Sequence, residues 1–208
     1  MKELIKKNTR LSWLLSICLV AIVSLSMIAC IKIDLKELKD IPKMENVNAN
    51  KIFAKDFAYH FTTQRGFNSV PMRVPKDIKL LIWDSKYDEV DYYFFREFNN
   101  WFNKLLFENG LLSLGENGEA LDCENYAMLY KSTMSIGNLK NGNKNELAVG
   151  IAVVRQNFEF GKIPATGGLH AVNLVLTNNG WFIVEPQTRE YILLEHYPNQ
   201  ASIQYIIF

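Results

Sequence analysis

Cysteine is scarce in this chain of 208 residues, and its scarcity excludes one class of exported protein. The three cysteines are Cys18, Cys30 and Cys123, and the first two lie in the N-terminal segment. A single remaining thiol cannot build a disulfide scaffold. No Cys/His pair has the spacing of a zinc site. Cys123 is therefore either a small buried hydrophobe or a reactive group.

Excess charge is also absent. The chain carries 23 basic and 22 acidic residues, so its formal net charge is only +1. This balance gives no reason to expect a nucleic-acid groove or a polybasic membrane surface, and we expect no nucleic-acid partner. Internal repeats and low-complexity tracts are missing as well. The remaining composition, 49% hydrophobic, is that of one ordinary globular domain.

The first thirty residues have the layout of an export signal. A basic start is followed by an uncharged, mostly apolar stretch over residues 11–29. Ala29-Cys30 at its end resembles the lipobox of bacterial lipoproteins, with Cys30 as the lipidated residue, although Met27 stands where leucine is usual. The alternative is an uncleaved anchor helix over residues 11–31. Both place the chain outside the cytoplasm, anchored to the cell membrane through its N-terminus.

The pattern along the chain predicts a signal or anchor over 1–30, a polar tether over 31–50 and one domain over 51–208. Apolar periodicity predicts helices over 50–63, 88–108 and 122–136. Strands are predicted over 78–83, 148–155, 169–176, 181–185, 191–194 and 203–208, with a loop over 158–168. Helices followed by strands indicate an α+β fold.

Cys123 follows Asp122 at the predicted start of a helix. Free backbone N–H groups and the helix dipole favour a thiolate there, and Asp122 can cap the helix. Ala127, Tyr130 and Met134 continue one stripe from Cys123, so the thiol lies on the side by which the helix packs.

A cysteine nucleophile needs a base and a group that orients the base. His170 begins a predicted strand, and the residues after Leu176 form a hairpin signal around Gly180. If Leu176 pairs with Trp181, then His170 and Glu185 share one face of the hairpin, within side-chain reach. A three-residue loop would place them on opposite faces.

Three segments together resemble a known family. They are Asp122-Cys123-Glu124-Asn125-Tyr126-Ala127, His170-Ala171 and Gly180-Trp181-Phe182-Ile183-Val184-Glu185-Pro186. Their order is similar to the transglutaminase-like core of the papain-like superfamily. Glutamate in place of the usual aspartate is more similar to the papain-like protease domain of the mushroom agglutinin family. The tryptophan that follows the cysteine in papain is missing, because Glu124 stands there.

The resemblance implies a papain/transglutaminase-like fold, with a nucleophile helix packed on an antiparallel β-sheet. It also implies a cysteine enzyme in which Cys123 forms a thioester, His170 moves the proton and Glu185 orients His170. Water as acceptor gives a peptidase or amidase, and an amine gives a transglutaminase. The substrate would be a protein, a peptide or a peptidoglycan stem.

Further site residues are expected near the thiol. The backbone N–H of Cys123 is an oxyanion donor candidate, and Asn117 and Gln187 are side-chain candidates. This chemistry requires no cofactor. Calcium is a further expectation, because the agglutinin-type proteases need it; the candidate oxygen ligands are Asp122, Glu124 and Asn125, with Gln187 close by in the site.

Three alternatives stay open at this point. The first is a non-catalytic binding or structural lipoprotein on the same fold. The second is a cell-wall amidase that acts on peptidoglycan stems. The third is a plain envelope lipoprotein in which Cys123 is buried.

Overall fold

The computed structural model describes residues 37–44, 50–63, 71–111, 122–140 and 142–208. The chain divides into two units, Met1–Lys39 and Asp40–Phe208. Of the first unit, only residues 37–39 are described, within the 3-10 turn Glu37–Asp40. The predicted export segment and Cys30 lie outside the described residues. In the part of the chain that is described, no helix is long and apolar enough to span a membrane.

The helices and strands of the second unit are labelled in chain order. They are β1 (Lys51–Phe53), α1 (Ala54–Thr63), β2 (Lys79–Leu81), β3 (Lys86–Asp88), α2 (Tyr92–Glu108), α3 (Cys123–Leu139), β4 (Glu146–Leu147), β5 (Val149–Arg155), β6 (Leu169–Thr177), β7 (Gly180–Glu185), β8 (Glu190–Leu193) and β9 (Ile203–Ile207).

These strands form a six-stranded sheet in the order β2-β9-β5-β6-β7-β8 and a three-stranded sheet in the order β1-β3-β4. In the larger sheet β2 pairs with β9 in parallel, and the other neighbours are antiparallel. The fold is therefore α+β, as expected, but the expected antiparallel sheet is corrected to a mixed one. Most of the chain separates β2 from β9, so no tight turn forces them to run in opposite directions.

The helix boundaries follow from local hydrogen bonds. Asp91 caps α2, because its carboxylate accepts a hydrogen bond from the N–H of Phe94 at 2.9 Å. The expected start at residue 88 was early, since residues 86–88 pair with β1 instead. Likewise, α1 begins at Ala54 rather than at residue 50, because residues 51–53 form β1. α3 begins where expected and continues three residues beyond the predicted end.

The β6–β7 hairpin has the register that the sequence predicted. Leu176 lies opposite Trp181, and Thr177 lies opposite Gly180. The loop between the paired residues Thr177 and Gly180 has two residues, so directly opposite residues of β6 and β7 point to the same face of the sheet. α3 packs against β6, and Ala127, Tyr130 and Met134 are all buried, which confirms the predicted stripe. This packing places the first residue of α3 beside the first residues of β6.

Candidate functional site

Cys123 is the first residue of α3 and is half-buried. Asp122 caps this helix, and its carboxylate accepts hydrogen bonds from the backbone N–H of Asn125 at 3.4 Å and from its side-chain amide at 2.8 Å. The free N–H groups and the dipole of the first turn favour negative charge on the thiol. The position expected for a reactive cysteine is therefore present.

Two carboxylates lie at the start of this helix, and that of Glu124 contacts the thiol. The Cys123 thiol donates to Oε2 of Glu124 at 3.5 Å, which is a weak contact. Burial raises the pKa of Asp122, and a hydrogen bond with Glu124 and its negative charge raise it further.

His170 and Glu185 form a buried pair. Nε2 of His170 lies 2.5 Å from Oε2 of Glu185, and Glu185 is fully buried. The other carboxylate oxygen of Glu185 accepts a hydrogen bond from the backbone N–H of Gln187 at 3.2 Å. The pairing of β6 with β7 ends at Asn173 and Val184, so neither His170 nor Glu185 has a paired residue across this hairpin. The side chains of His170 and Glu185 nevertheless meet beyond the end of the ladder.

The charge of His170 follows from this contact. Burial alone lowers the pKa of His170. Hydrogen bonds with the Cys123 thiol and with Glu185, together with the charge of Glu185, raise the pKa to about 9. The imidazole is therefore protonated at neutral pH and forms a buried ion pair with Glu185. The structure brings together all three residues that the sequence singled out.

Asn173 fixes α3 against the sheet, and the sequence analysis missed it. It is fully buried on β6, and its side-chain amide donates to the backbone oxygen of Ala127 at 2.9 Å. Lys131 adds a second link, because Nζ donates to the backbone oxygen of Val149 at 2.7 Å. The available signal was a single amide within the apolar run over residues 171–176. A buried amide between helix and strand positions Cys123 relative to His170.

A tight turn covers Glu185. Phe160 and Ile163 pair across it, and the two residues between them, Gly161 and Lys162, both have φ of 62°. A Cβ atom on Gly161 would lie 2.9 Å from Cβ of Glu185 and 2.5 Å from Oγ1 of Thr188. Only glycine fits this approach. The turn belongs to the loop that the sequence predicted, but its contact with Glu185 was not foreseen.

Asn199 anchors this loop from the opposite end of the chain. Its Oδ1 accepts hydrogen bonds from the N–H groups of Asn157 and Phe158 at 3.0 and 2.8 Å. Its Nδ2 donates to the backbone oxygen of Phe158 at 2.8 Å and to Oε1 of Gln156 at 3.3 Å. Asn199 is 1% exposed, so these bonds are shielded from water.

The remaining predicted site residues have no such arrangement. Asn117 lies outside the described residues, and Gln187 contributes its backbone N–H to Glu185. Among the described residues, no three His, Cys, Asp or Glu side chains converge as metal ligands. Asp122 and Asn125, two of the calcium candidates, are hydrogen-bonded to each other. The oxyanion and calcium assignments stay predictions.

A groove of about 460 Å³ lies apart from Cys123, between α2 and the start of β8. Its lining residues are Asn99, Asn100, Asn103, Lys104, Phe107, Arg189 and Tyr191. Five of them lie on α2: Asn99, Asn103 and Phe107 recur at steps of four, and Asn100 and Lys104 lie beside them, so all five share one helix face. The sequence analysis considered only the opposite, apolar stripe of this helix.

The side chains that line the groove differ in solvent exposure and in hydrogen bonding. Asn99 is buried, donates to the backbone oxygen of Phe95 at 2.7 Å and accepts from the hydroxyl of Tyr130 at 3.0 Å. Phe107 is 70% exposed. Asn100 and Lys104 are exposed. The groove thus offers amides, cations and an open ring to solvent.

Comparison with known proteins gives a likeness in fold. No protein-family model and no curated protein matches this chain. A solved structure of Polyporus squamosus lectin bound to the epitope Neu5Aca2-6Galb1-4GlcNAc is similar with a TM-score of 0.50 and 16% identity, over 76% of this chain and 49% of that chain. A PSL1a-E64 complex has a TM-score of 0.49 and 14% identity, over 76% and 50%. The chain spans about half the length of these solved structures.

These findings correct the main functional expectation. The resemblance to the mushroom agglutinin family is confirmed at the level of the fold, because the similar solved structure is that of a mushroom lectin. No papain-like or transglutaminase family model matches. The interpretation as a hydrolase of the cysteine peptidase or amidase type is therefore replaced by the alternative of a binding module on the same fold. The roles assigned to Cys123, His170 and Glu185 stay predictions.

Proposed function

We propose that this chain is a non-catalytic glycan-binding module, held at the outer face of the membrane through its N-terminus. The observation that carries the proposal is the groove between α2 and β8. Its volume of about 460 Å³ falls in the range of small-ligand sites. Convergent polar groups beside apolar surface are what such sites present.

The lining of the groove suits a saccharide. Sugar hydroxyls both donate and accept hydrogen bonds, and so do the side-chain amides of Asn100 and Asn103. The exposed ring of Phe107 provides an electron-rich face for the C–H groups of a sugar ring. A lectin of similar fold was solved with a bound trisaccharide, which supports the same ligand class.

The buried pair of His170 and Glu185 fits a structural role in this proposal. His170 and Glu185 form a buried ion pair, and such a pair can hold β6 and the end of β7 together. The finer fold assignment, a papain/transglutaminase-like arrangement of α3 on the sheet, is kept as part of the proposal. A peptide or peptidoglycan-stem partner, calcium and the lipidation of Cys30 stay predictions.

Binding of the full chain to an array of immobilised glycans tests the proposal. We expect specific binding that Phe107→Ala and Asn103→Ala each weaken by about tenfold or more, since each substitution removes a direct contact. Trp83→Ala is the matched control, because Trp83 is 80% exposed but does not line the groove.

Cys123→Ala shows in the same experiment whether glycan binding depends on the thiol. Unchanged glycan binding by this variant would support a binding site in the groove that is separate from Cys123. Loss of binding in Cys123→Ala, or equal binding by wild type and Phe107→Ala, would contradict the proposal.

A further inference from the structure

We infer that a second cleft binds a zwitterionic ligand, an amino acid or a short peptide that carries both an ammonium group and a carboxylate. The cleft has a volume of about 360 Å³ and lies at the start of β2 and β9, beside the end of β5. This volume falls in the range of small-ligand sites. Asp77 and Arg155 are the side chains that pair with the two charges of the ligand. The cleft shares no lining residue with the groove between α2 and β8, so the inference does not depend on glycan binding.

The pairing of the strands places Asp77 and Arg155 on opposite sides of β9. Lys79 is paired with Tyr205 in the parallel pair of β2 and β9, so Asp77 lies beside the first residue of β9. On the other side of β9, Val154 is paired with that first residue, and Arg155 follows it. Two strand spacings, about 10 Å, therefore separate the backbones of Asp77 and Arg155. Their side chains line one cleft from its two sides.

The opposite charges of the cleft are not paired with each other. Among the described residues that line the cleft, no acidic and basic side chains are within ion-pair distance. One guanidinium nitrogen of Arg155 donates to the backbone oxygen of Gly167 at 2.8 Å, which holds the group in place and leaves its other donors for a ligand. A planar fork of donors matches the two oxygens of a carboxylate, and the carboxylate of Asp77 matches an ammonium group. A zwitterion can therefore pair with both side chains at once.

A β-bulge adds a polar group to the lining of the cleft. Val153 is paired with Tyr205 and Val154 with Ile203, so Gln204 has no partner on β5. Bulges re-aim a side chain and are frequent at sheet edges and next to functional sites. Gln204 lines the cleft, and its amide can both donate and accept hydrogen bonds.

The rest of the lining indicates an aliphatic ligand. Nζ of Lys79 lies 5.2 Å from the centroid of the Tyr205 ring, and this cation–π contact makes Lys79 less available to a ligand than Arg155. Pro75 and Ile78 give the cleft an apolar wall. A ligand with an aliphatic side chain beside its two charges fits this lining.

The inference is tested with ligands that lack one charge at a time. Binding of L-leucine to the full chain is measured by titration calorimetry, beside isocaproic acid, which lacks the ammonium group, and isoamylamine, which lacks the carboxylate. We expect each analogue to bind at least about tenfold more weakly than leucine, because each loses a charge-assisted hydrogen bond. The dipeptide leucyl-leucine is titrated in the same way. Tighter binding of the dipeptide assigns the cleft to peptides, and tighter binding of leucine assigns it to free amino acids.

Asp77→Asn and Arg155→Gln identify the charge that each side chain binds. We expect Asp77→Asn to bind leucine and isocaproic acid about equally, and Arg155→Gln to bind leucine and isoamylamine about equally. Asp84→Asn and Arg96→Gln are the matched controls, because both residues are exposed but neither lines the cleft. Thermal unfolding of each variant is recorded beside that of wild type. Arg155→Lys, with a smaller expected loss, replaces Arg155→Gln if the lost bond to Gly167 unfolds the chain.

The groove that carries the proposed function is not affected by any outcome of this experiment. No binding of leucine or of the dipeptide at up to about 10 mM would overturn the inference. Equal binding of leucine and isocaproic acid by wild type would also overturn it and leave a plain anion site in the cleft. An unchanged ratio of the two affinities in Asp77→Asn would show that this carboxylate does not bind the ammonium group, and the inference would fail.

Discussion

The buried pair of His170 and Glu185 makes the stability of the protein depend on pH. The pKa of His170 is about 9 in the folded chain, against about 6.5 for histidine in an unfolded chain. Because the folded pKa is the higher one, folding binds a proton. The stabilisation is complete below about pH 6.5 and is lost as the pH rises through about 9, by on the order of 3 kcal/mol in all.

His170→Gln should abolish this dependence. We expect the free energy of unfolding of wild type to fall between pH 6.5 and pH 9, and that of the variant to change much less. Urea unfolding at several pH values measures both. His196→Gln is the control, since His196 is an exposed histidine on the same chain. Parallel curves for wild type and His170→Gln would show that the pair does not bind the proton.

The residues of this pair could be predicted from the sequence, but the residues that support them could not. His170 and Glu185 lie on one hairpin, so a turn signal was enough to place them on matching faces. Asn173 contacts α3 and Asn199 contacts a loop more than forty residues away. Such contacts depend on how elements pack in three dimensions, and no local pattern records them.

Among the secondary-structure elements, the turn between Phe160 and Ile163 gives a test of how closely the loop packs on Glu185. Gly161 and Lys162 share a φ of 62°, but Gly161 is buried, with Glu185 and Thr188 where a Cβ would be placed, and Lys162 is exposed. Gly161→Ala adds both backbone strain and overlap with Glu185, so we expect it to destabilise the fold by about 1–3 kcal/mol.

Lys162→Gly is the matched substitution in the same turn. It relieves the left-handed strain of lysine, so we expect no loss and up to about 1 kcal/mol of gain in stability. Urea unfolding of both variants at one pH measures the difference. Equal destabilisation by the two substitutions would mean that the turn does not pack against Glu185 as described.

Elements with a strong local pattern were predicted well, and short strands with distant partners were not. The spacing of apolar residues indicated α2 and α3, and the hairpin signal indicated β6 and β7. β1 has only three residues, and its pairing with β3 replaced the first turn of a predicted helix. The parallel pairing of β2 with β9 follows from the whole topology. The groove was missed because a polar helix face is normally only a solvated one.

Across the whole molecule, Phe208 joins segments that are far apart in the sequence. Its ring stacks on Phe57 of α1 with centroids 4.3 Å apart and contacts Tyr87 and Trp181 at 5.8 and 5.9 Å. Its backbone N–H donates to Leu81 at 2.9 Å. Because the side chain is 2% exposed, Phe208→Ala leaves a cavity where α1, the smaller sheet and the hairpin meet.

Phe208→Ala and Phe107→Ala should therefore separate stability from binding. We expect Phe208→Ala to lower the free energy of unfolding by about 3–5 kcal/mol, as for other buried phenylalanines. Phe107→Ala removes a ring that is 70% exposed, so we expect a change within about 0.5 kcal/mol together with weaker glycan binding. Chemical unfolding of both variants, with glycan binding measured on the same preparations, makes the comparison. A large loss of stability in Phe107→Ala would show that this ring packs in the core, and the groove would then lose its one open aromatic surface.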